Sequence, residues 1–410
     1  MAFWIDRQAS VPGPGVHALI IGVSDYTYLP EEGQLPEIGR ETLGLTKVDI
    51  PATGAYLVGK WLRDKYWHPT HRVKTIRLLL SPSQHEISPT VAKDSALDAN
   101  DRAELASVGK AAPASTENVQ QALLDWQAEC DNHPEDIAFL YISGHGIQWG
   151  DKDDGIVLLQ DFSKNKLFLN QSVGMRSVAK GMSGANMPLS QLYFVDACRI
   201  HPDEYRKFEF AGAPIGLPSG FKGTEDLRSA PIFYAACPQT TAKGRPNRGT
   251  YFAEALVDCF DFAGLMGPVP NSALAVARSY WHISVTQLGE KLQTQVTEVA
   301  KRDGETQEIV PGGVLRPAVF CAVPVPPPVT VTVNVDPAAA AQVAVAELWE
   351  DYGVTRIGCK TSCQPPPATF QSVPPGLYIL QVTASPLFPA PRLKQLNAQP
   401  PTSDIAIKFL

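Results

Sequence analysis

Two short stretches of this chain carry residue types able to make and break acyl bonds: Ser143-Gly144-His145-Gly146 and Asp196-Ala197-Cys198-Arg199. A cysteine attacks only as its thiolate, so a working nucleophile needs a base or a positive neighbour. An imidazole delivered beside the thiol supplies that base, which makes Cys198 the candidate nucleophile and His145 its partner. The glycines flanking His145 let a substrate backbone come close. The backbone N–H groups of Gly146 and Cys198 are natural oxyanion-hole donors, each worth roughly 3–4 kcal/mol when removed. Taken singly, a loop histidine and a core thiol need no chemistry; taken together, with small residues around both, they read as a Cys–His dyad.

Two things must hold for the dyad to form: each motif must sit at a strand end, and the two strands must be neighbours. Apolar, β-rich runs precede both, Ile137 to Ile142 before the histidine and Leu192 to Val195 before the cysteine. In an open parallel sheet, residues just past the carboxyl ends of strands collect in one crevice. Val16 to Val23 is a further run apolar throughout, as in a strand buried on both faces. Val73 to Leu80 and Ile232 to Ala236 read the same way. Helical spacing appears over Gly54 to Lys65, after Thr116 as cap (Val119, Leu123, Trp126), over Tyr251 to Phe262, and over Val285 to Lys301. A long polar loop is expected over 81–114, with a short helix near Ala103 to Val108, and a hairpin over 151–155. Strands alternating with helices predict an α/β fold with a mainly parallel sheet flanked by helices.

The composition changes after residue 323. Pro324-Val325-Pro326-Pro327-Pro328 reads as a stiff linker, and 329–410 shows alternating Val/Thr strands and Pro-Gly turns, the pattern of a small all-β sandwich. The expected organisation is a catalytic domain over 1–323, a linker over 324–328 and an accessory β domain over 329–410. The 410 residues, 44% hydrophobic and 19% charged, are ordinary for a globular protein. A net charge of −7 gives no basic footprint for nucleic acid. Met1 to Gly15 has no apolar signal region and no stretch has the length of a membrane span. Seven cysteines without a disulfide framework fit a reducing compartment. A soluble, cytoplasmic chain with no nucleic-acid or membrane partner is expected.

The sequence resembles the caspase and metacaspase superfamily of cysteine peptidases, and its bacterial caspase-like members in particular. The resemblance rests on His17 to Tyr26, the Ser-Gly-His-Gly of 143–146, the Asp-Ala-Cys-Arg of 196–199, and Ile232 to Cys237, and spans roughly 14–323. His145 precedes Cys198 by 53 positions (198 − 145), against about 50 in caspases. The resemblance implies an endopeptidase in which Cys198 attacks the peptide carbonyl and His145 protonates the leaving amine. Caspases that cut after Asp carry Gln two residues before the nucleophile; metacaspases carry Asp there, as this chain does with Asp196. Cleavage after Arg or Lys is therefore expected, since a pocket carboxylate pairs with a guanidinium through charge-assisted hydrogen bonds.

Metacaspases add a second pocket acid in an Asn-Asp-Ala stretch, for which this chain has Ala52-Thr53-Gly54-Ala55; Asp25 or Asp49 is the available substitute. The resemblance also implies self-processing, for which Arg176, Lys222 and Arg228 are candidates. No cofactor is expected to be required. Asp151, Asp153 and Asp154 suggest calcium, but without the distal Glu of an EF-hand loop they read as a solvated hairpin tip. Asp203 and Glu204 are equally weak, and the lone Cys359/Cys363 pair lacks zinc partners. Cys130, Cys237, Cys259 and Cys321 read as small core residues. The expected partners are a protein or peptide with a basic P1 residue and a sensor or effector bound through the β domain; by analogy the setting is bacterial stress or antiviral defence. The alternatives are a non-catalytic caspase-fold adaptor, or the same mechanism with another P1 preference.

Overall fold

A computed structural model describes the chain except residues 1–2, 39, 89–93, 150–153, 166–167, 201–211, 219–225, 351–353, 361–362, 364–366, 399, 401 and 410. Its contacts divide into two units, one of 1–278 with 282–322 and one of 279–281 with 323–410.

The first unit is organised by a seven-stranded sheet. Along the chain come β1 (Ile5–Asp6), β2 (Gly15–Val23), α1 (Pro51–Asp64), β3 (Arg72–Ser81), α2 (Ala99–Ala111), α3 (Thr116–Cys130) and β4 (Ile137–Gly144). A small side sheet follows, β5 (Gly146–Trp149), β6 (Asp154–Leu158) and β7 (Ser172–Gly174). Then come α4 (Met175–Gly181), β8 (Ser190–Ala197), β9 (Ala230–Tyr234), the short pair β10 (Gly244–Arg245) and β11 (Gly249–Thr250), and α5 (Tyr251–Asp258). The strand order is β1-β3-β2-β4-β8-β9 and then Val310–Val314. The five from β3 to β9 are mutually parallel, and the two edge strands are antiparallel.

All nine residues of β2 are buried, as are seven of the eight in β4 and β8, which is why these strands read as continuous apolar runs rather than alternating ones. One face carries Leu19, Ile21, Leu140, Ile142, Tyr193 and Val195 into a core with α3 residues Val119, Leu123 and Trp126. The other face carries Phe139 and Phe194 against Phe233, Phe252, Phe260 and Phe320, with ring centroids 5.2–6.4 Å apart. Such offset and tilted pairs add to area burial. At the amino ends of the strands, buried charges are matched: Asp136 accepts from Gly15 N and Lys74 Nζ, and Arg77 pairs with Glu129.

The helix over Val285–Lys301 falls where its apolar spacing put it, with Val285, Leu288, Leu292, Val296 and Val299 buried. Other boundaries move for local reasons. Helix α1 begins at Pro51, the residue pre-set for a first turn. Ser115, not Thr116, caps α3 by accepting from Asn118 N. The region expected as a loop with a short helix holds the 13-residue α2, started by a reciprocal capping box between Asp98 and Asp101. The helix from Tyr251 ends at Asp258 and passes into a wider turn over Cys259–Ala263.

In the second unit, a three-stranded sheet (Ala368–Val373, Val329–Asp336, Thr402–Lys408) and a four-stranded sheet (Thr355–Lys360, Val345–Glu350, Gly376–Ala384, Phe388–Ala398) share one core. Val329, Val331, Val333 and Val335 point into it while the residues between them face outward, the two-residue period of a sandwich strand.

Candidate active site

Strands β4 and β8 lie side by side, with Ser143 opposite Asp196 and Gly144 opposite Ala197. His145 and Cys198 are the next residues beyond that ladder, so they start about 4.8 Å apart at the backbone. The chains stay together past the strand ends: Gln148 N donates to Ile200 O at 3.0 Å. Gly146 is the residue this approach requires, because a Cβ there would stand 2.3 Å from Cys198 O and 2.7 Å from Ala197 Cβ. The two backbones expected to supply an oxyanion hole are thus brought into contact.

His145 is oriented by a main-chain group that the sequence does not reveal. Its Nε2 lies 2.6 Å from Thr46 O; a carbonyl can only accept, so Nε2 carries the proton and Nδ1 keeps the lone pair of a base. The loop bearing Thr46 is fastened on both sides. Lys47 Nζ pairs with Asp25 at 2.8 Å and Glu31 at 3.1 Å, and Val48 N donates to Ser24 O at 3.2 Å.

The Cys198 sulfur accepts from Ala242 N at 3.3 Å and faces Ala242 O at 3.8 Å. Burial pushes the thiol pKa up, the Ala242 amide opposes this and the Asp196 charge adds to it. Burial pulls His145 down, with the Thr46 carbonyl opposing. Both shifts favour the uncharged forms, thiol and imidazole.

Asp196 lies beneath this pair, 1% exposed. Its Oδ2 accepts from the hydroxyls of Tyr141 and Thr250, and Thr250 in turn caps α5 by accepting from Ala253 N at 3.0 Å. Ser143, across the ladder, is near enough for its hydroxyl to favour the carboxylate. Even so, neither Ser143 Oγ nor Asp196 Oδ1 completes a hydrogen bond. Burial dominates, and the carboxyl is pushed up to about 6. Gly54, in the stretch that lacks the second acid, faces this cluster: a Cβ there would meet Thr250 Oγ1 and Tyr141 Oη at 3.4 Å. The tightest neighbour of such a Cβ is Ala253 Cβ at 3.0 Å.

The remaining predicted residues separate. Asp25 is engaged by Lys47 and makes no described contact with Asp196; Asp49 is exposed. Arg228, one of the self-processing candidates, is held inside the chain. It is 9% exposed, paired with Asp226, and donates to Ala179 O, Met182 O and Gln191 Oε1 at 3.0 Å each. A side chain so fully bonded is an anchor for the start of β9. Arg176 stands exposed on α4. Lys222, Asp151, Asp153, Asp203 and Glu204 lie outside the described residues, as does the side chain of Asp154. Cys130, Cys259 and Cys321 are buried, but Cys237 is half-exposed, its sulfur 3.7 Å from Glu308 Oε2, rather than a core residue. Among the described residues no cluster of three or more His, Cys, Asp or Glu is placed to hold a metal ion. No helix among them is long and apolar enough to cross a membrane.

Residues 16–307, which include both motifs, the Thr46 loop and the Ala242 segment, match the family described as the caspase domain. The chain belongs to the caspase domain family. Members of that family are cysteine peptidases acting on proteins, which fits a cysteine and a histidine placed just past the neighbouring ends of β4 and β8. Among solved structures the chain is similar to caspase-1 from Spodoptera frugiperda, with 11% identity and a TM-score of 0.41 over 75% of this chain and 90% of that one. No curated protein matches it.

Proposed function

We propose that this caspase domain is a cysteine endopeptidase that cuts after Arg or Lys, with Cys198 as nucleophile and His145 as base. A bound peptide presents its carbonyl carbon to Sγ. The Cys198 proton passes to His145 Nδ1 as the S–C bond forms, and the carbonyl oxygen gains the negative charge, facing the amides of Gly146 and Cys198. Collapse breaks the C–N bond, and the proton on Nδ1 goes to the leaving amine. Water then attacks the thioester, giving its proton to Nδ1, and the freed carboxylic acid departs with the thiol restored. Starting from neutral partners, the base works in general-base fashion during attack.

The observation that carries the P1 reading is the Asp196 carboxylate. It is buried two residues before the nucleophile, at the end of the same strand, where the Tyr141 and Thr250 hydroxyls hold it. A carboxylate at this place would pair with a guanidinium or ammonium from P1 through a charge-assisted bond. Its pKa of about 6 leaves it ionised at pH 7. The test is mass-spectrometric mapping of cuts in an unfolded protein substrate by wild-type chain and Cys198→Ala. Cuts after Arg and Lys that vanish in the variant are expected; cuts after Asp would sink the P1 reading. The self-processing candidates are Arg176, Lys222 and Arg228, and intact-mass measurement of the purified chain decides among them.

A further inference from the structure

Tyr26 closes the first of the four sequence stretches singled out above, and it comes to rest against the catalytic histidine from the loop after β2. Its side chain is fully buried. The phenolic oxygen accepts from His145 N at 2.7 Å, and its ring centroid lies 5.0 Å from the imidazole. His145 is the first residue past β4, so its amide has left the sheet ladder and needs a partner elsewhere. The residue is therefore held at three points: its N–H by Tyr26, its carbonyl by Leu158 N at 2.9 Å, and Nε2 by Thr46 O. The same hydroxyl accounts for Gly144, since a Cβ there would stand 2.7 Å from Tyr26 Oη.

We propose that Tyr26 is a positioning residue for the peptidase reaction, its buried hydroxyl fixing the His145 backbone so that, with Thr46 holding Nε2, the imidazole presents Nδ1 to the thiol. The proposal rests on the peptidase reading. A phenylalanine at position 26 keeps the ring and the packing but removes the acceptor. His145 is then held only through Leu158 N on its carbonyl and Thr46 O on Nε2, and a small misplacement of a base costs about 10- to 100-fold in rate.

The test compares wild type, Tyr26→Phe, Gly144→Ala and the double variant. Tyr26→Phe is expected to lower kcat about tenfold or more with KM little changed, and to alter the acid limb of the pH profile, which a purely structural residue would leave in place. Gly144→Ala is expected to be strongly impaired by its clash with the hydroxyl. The double variant should then be no worse than Tyr26→Phe, because the atom it collides with is gone. Histidine NMR titration, with His145 assigned through His145→Gln, reads the imidazole without any substrate. A Tyr26→Phe chain that turns over as fast as wild type with an unmoved His145 titration overturns the proposal, as does strict additivity of the two substitutions. A wild-type chain silent on every peptide would instead sink the peptidase reading; the shift of the His145 titration in Tyr26→Phe would still decide the positioning role.

Discussion

Replacing Asp196 with Asn separates what this carboxylate costs the fold from what it gives the reaction. Burial raises its pKa from the ordinary 3.8 to about 6, and that difference amounts to about 3 kcal/mol at 1.36 kcal/mol per pKa unit. The folded pKa lies above the unfolded one, so between about pH 4 and 6 the folded chain keeps a proton that the unfolded chain releases. Stability therefore falls as pH rises through that window, and the whole cost is present above pH 6. Asparagine cannot ionise. Its carbonyl can take the Tyr141 and Thr250 hydroxyls, and its NH₂ falls where Oδ1 has no donor, toward the unbonded Ser143 Oγ. Asp196→Asn should thus be more stable than wild type at pH 8 by up to about 3 kcal/mol, with the advantage gone near pH 4. Urea titrations at pH 8, 6 and 4 read this directly. Hydrolysis of Arg peptides should move the other way. Losing a charge-assisted bond of about 1.5–3 kcal/mol lowers kcat/KM roughly 10- to 100-fold. A variant no more stable at pH 8 that still cleaves Arg peptides as well as wild type would refute both halves.

Other expectations follow from individual contacts. Gly146→Ala drives a methyl to 2.3 Å from Cys198 O; turnover should be lost while far-UV circular dichroism remains native. Because the Cys198 thiol is pushed above its usual range, its alkylation by iodoacetamide should be slow at pH 7 and accelerate steadily toward pH 9 and beyond; a pH-independent rate across 6–8 would instead indicate a preformed thiolate. Arg228→Ala breaks a largely buried ion pair, two hydrogen bonds to carbonyls at the end of α4 and one to the Gln191 side chain on β8. A loss of about 2–3 kcal/mol by urea denaturation is expected, at the low end for a buried pair because Asp226 is one-third exposed and can be solvated.

What could be read in advance was what lies within one strand or helix. The apolar runs before His145 and Cys198 were legible because strands covered on both faces have no alternation to obscure them, and the candidate site residues follow directly at their ends. The helix Val285–Lys301 was legible because its buried stripe is regular. The contacts that finish the site join segments far apart in sequence. Thr46 acts through its carbonyl, which no side-chain pattern signals. Ala242 acts through its amide, 44 positions from the sulfur it meets. Thr250 does carry a signal, a hydroxyl just before a helical run, but its second role toward Asp196 depends on how α5 packs over β8. The burial of Arg228 is not legible either, because a basic residue near a Gly/Pro-rich stretch reads as exposed, whereas three acceptors and Asp226 converge on it. Helix α2 was underestimated because its start rests on the Asp98–Asp101 box and only Asp101, Arg102 and Leu105 are buried, leaving little apolar periodicity to see.

The most direct test of the account is hydrolysis of fluorogenic peptides ending in Arg, Lys or Asp by wild-type chain, Cys198→Ala and His145→Ala at pH 7.5. The account predicts turnover of the Arg and Lys peptides only, abolished in both variants. Turnover that survives in Cys198→Ala would contradict it.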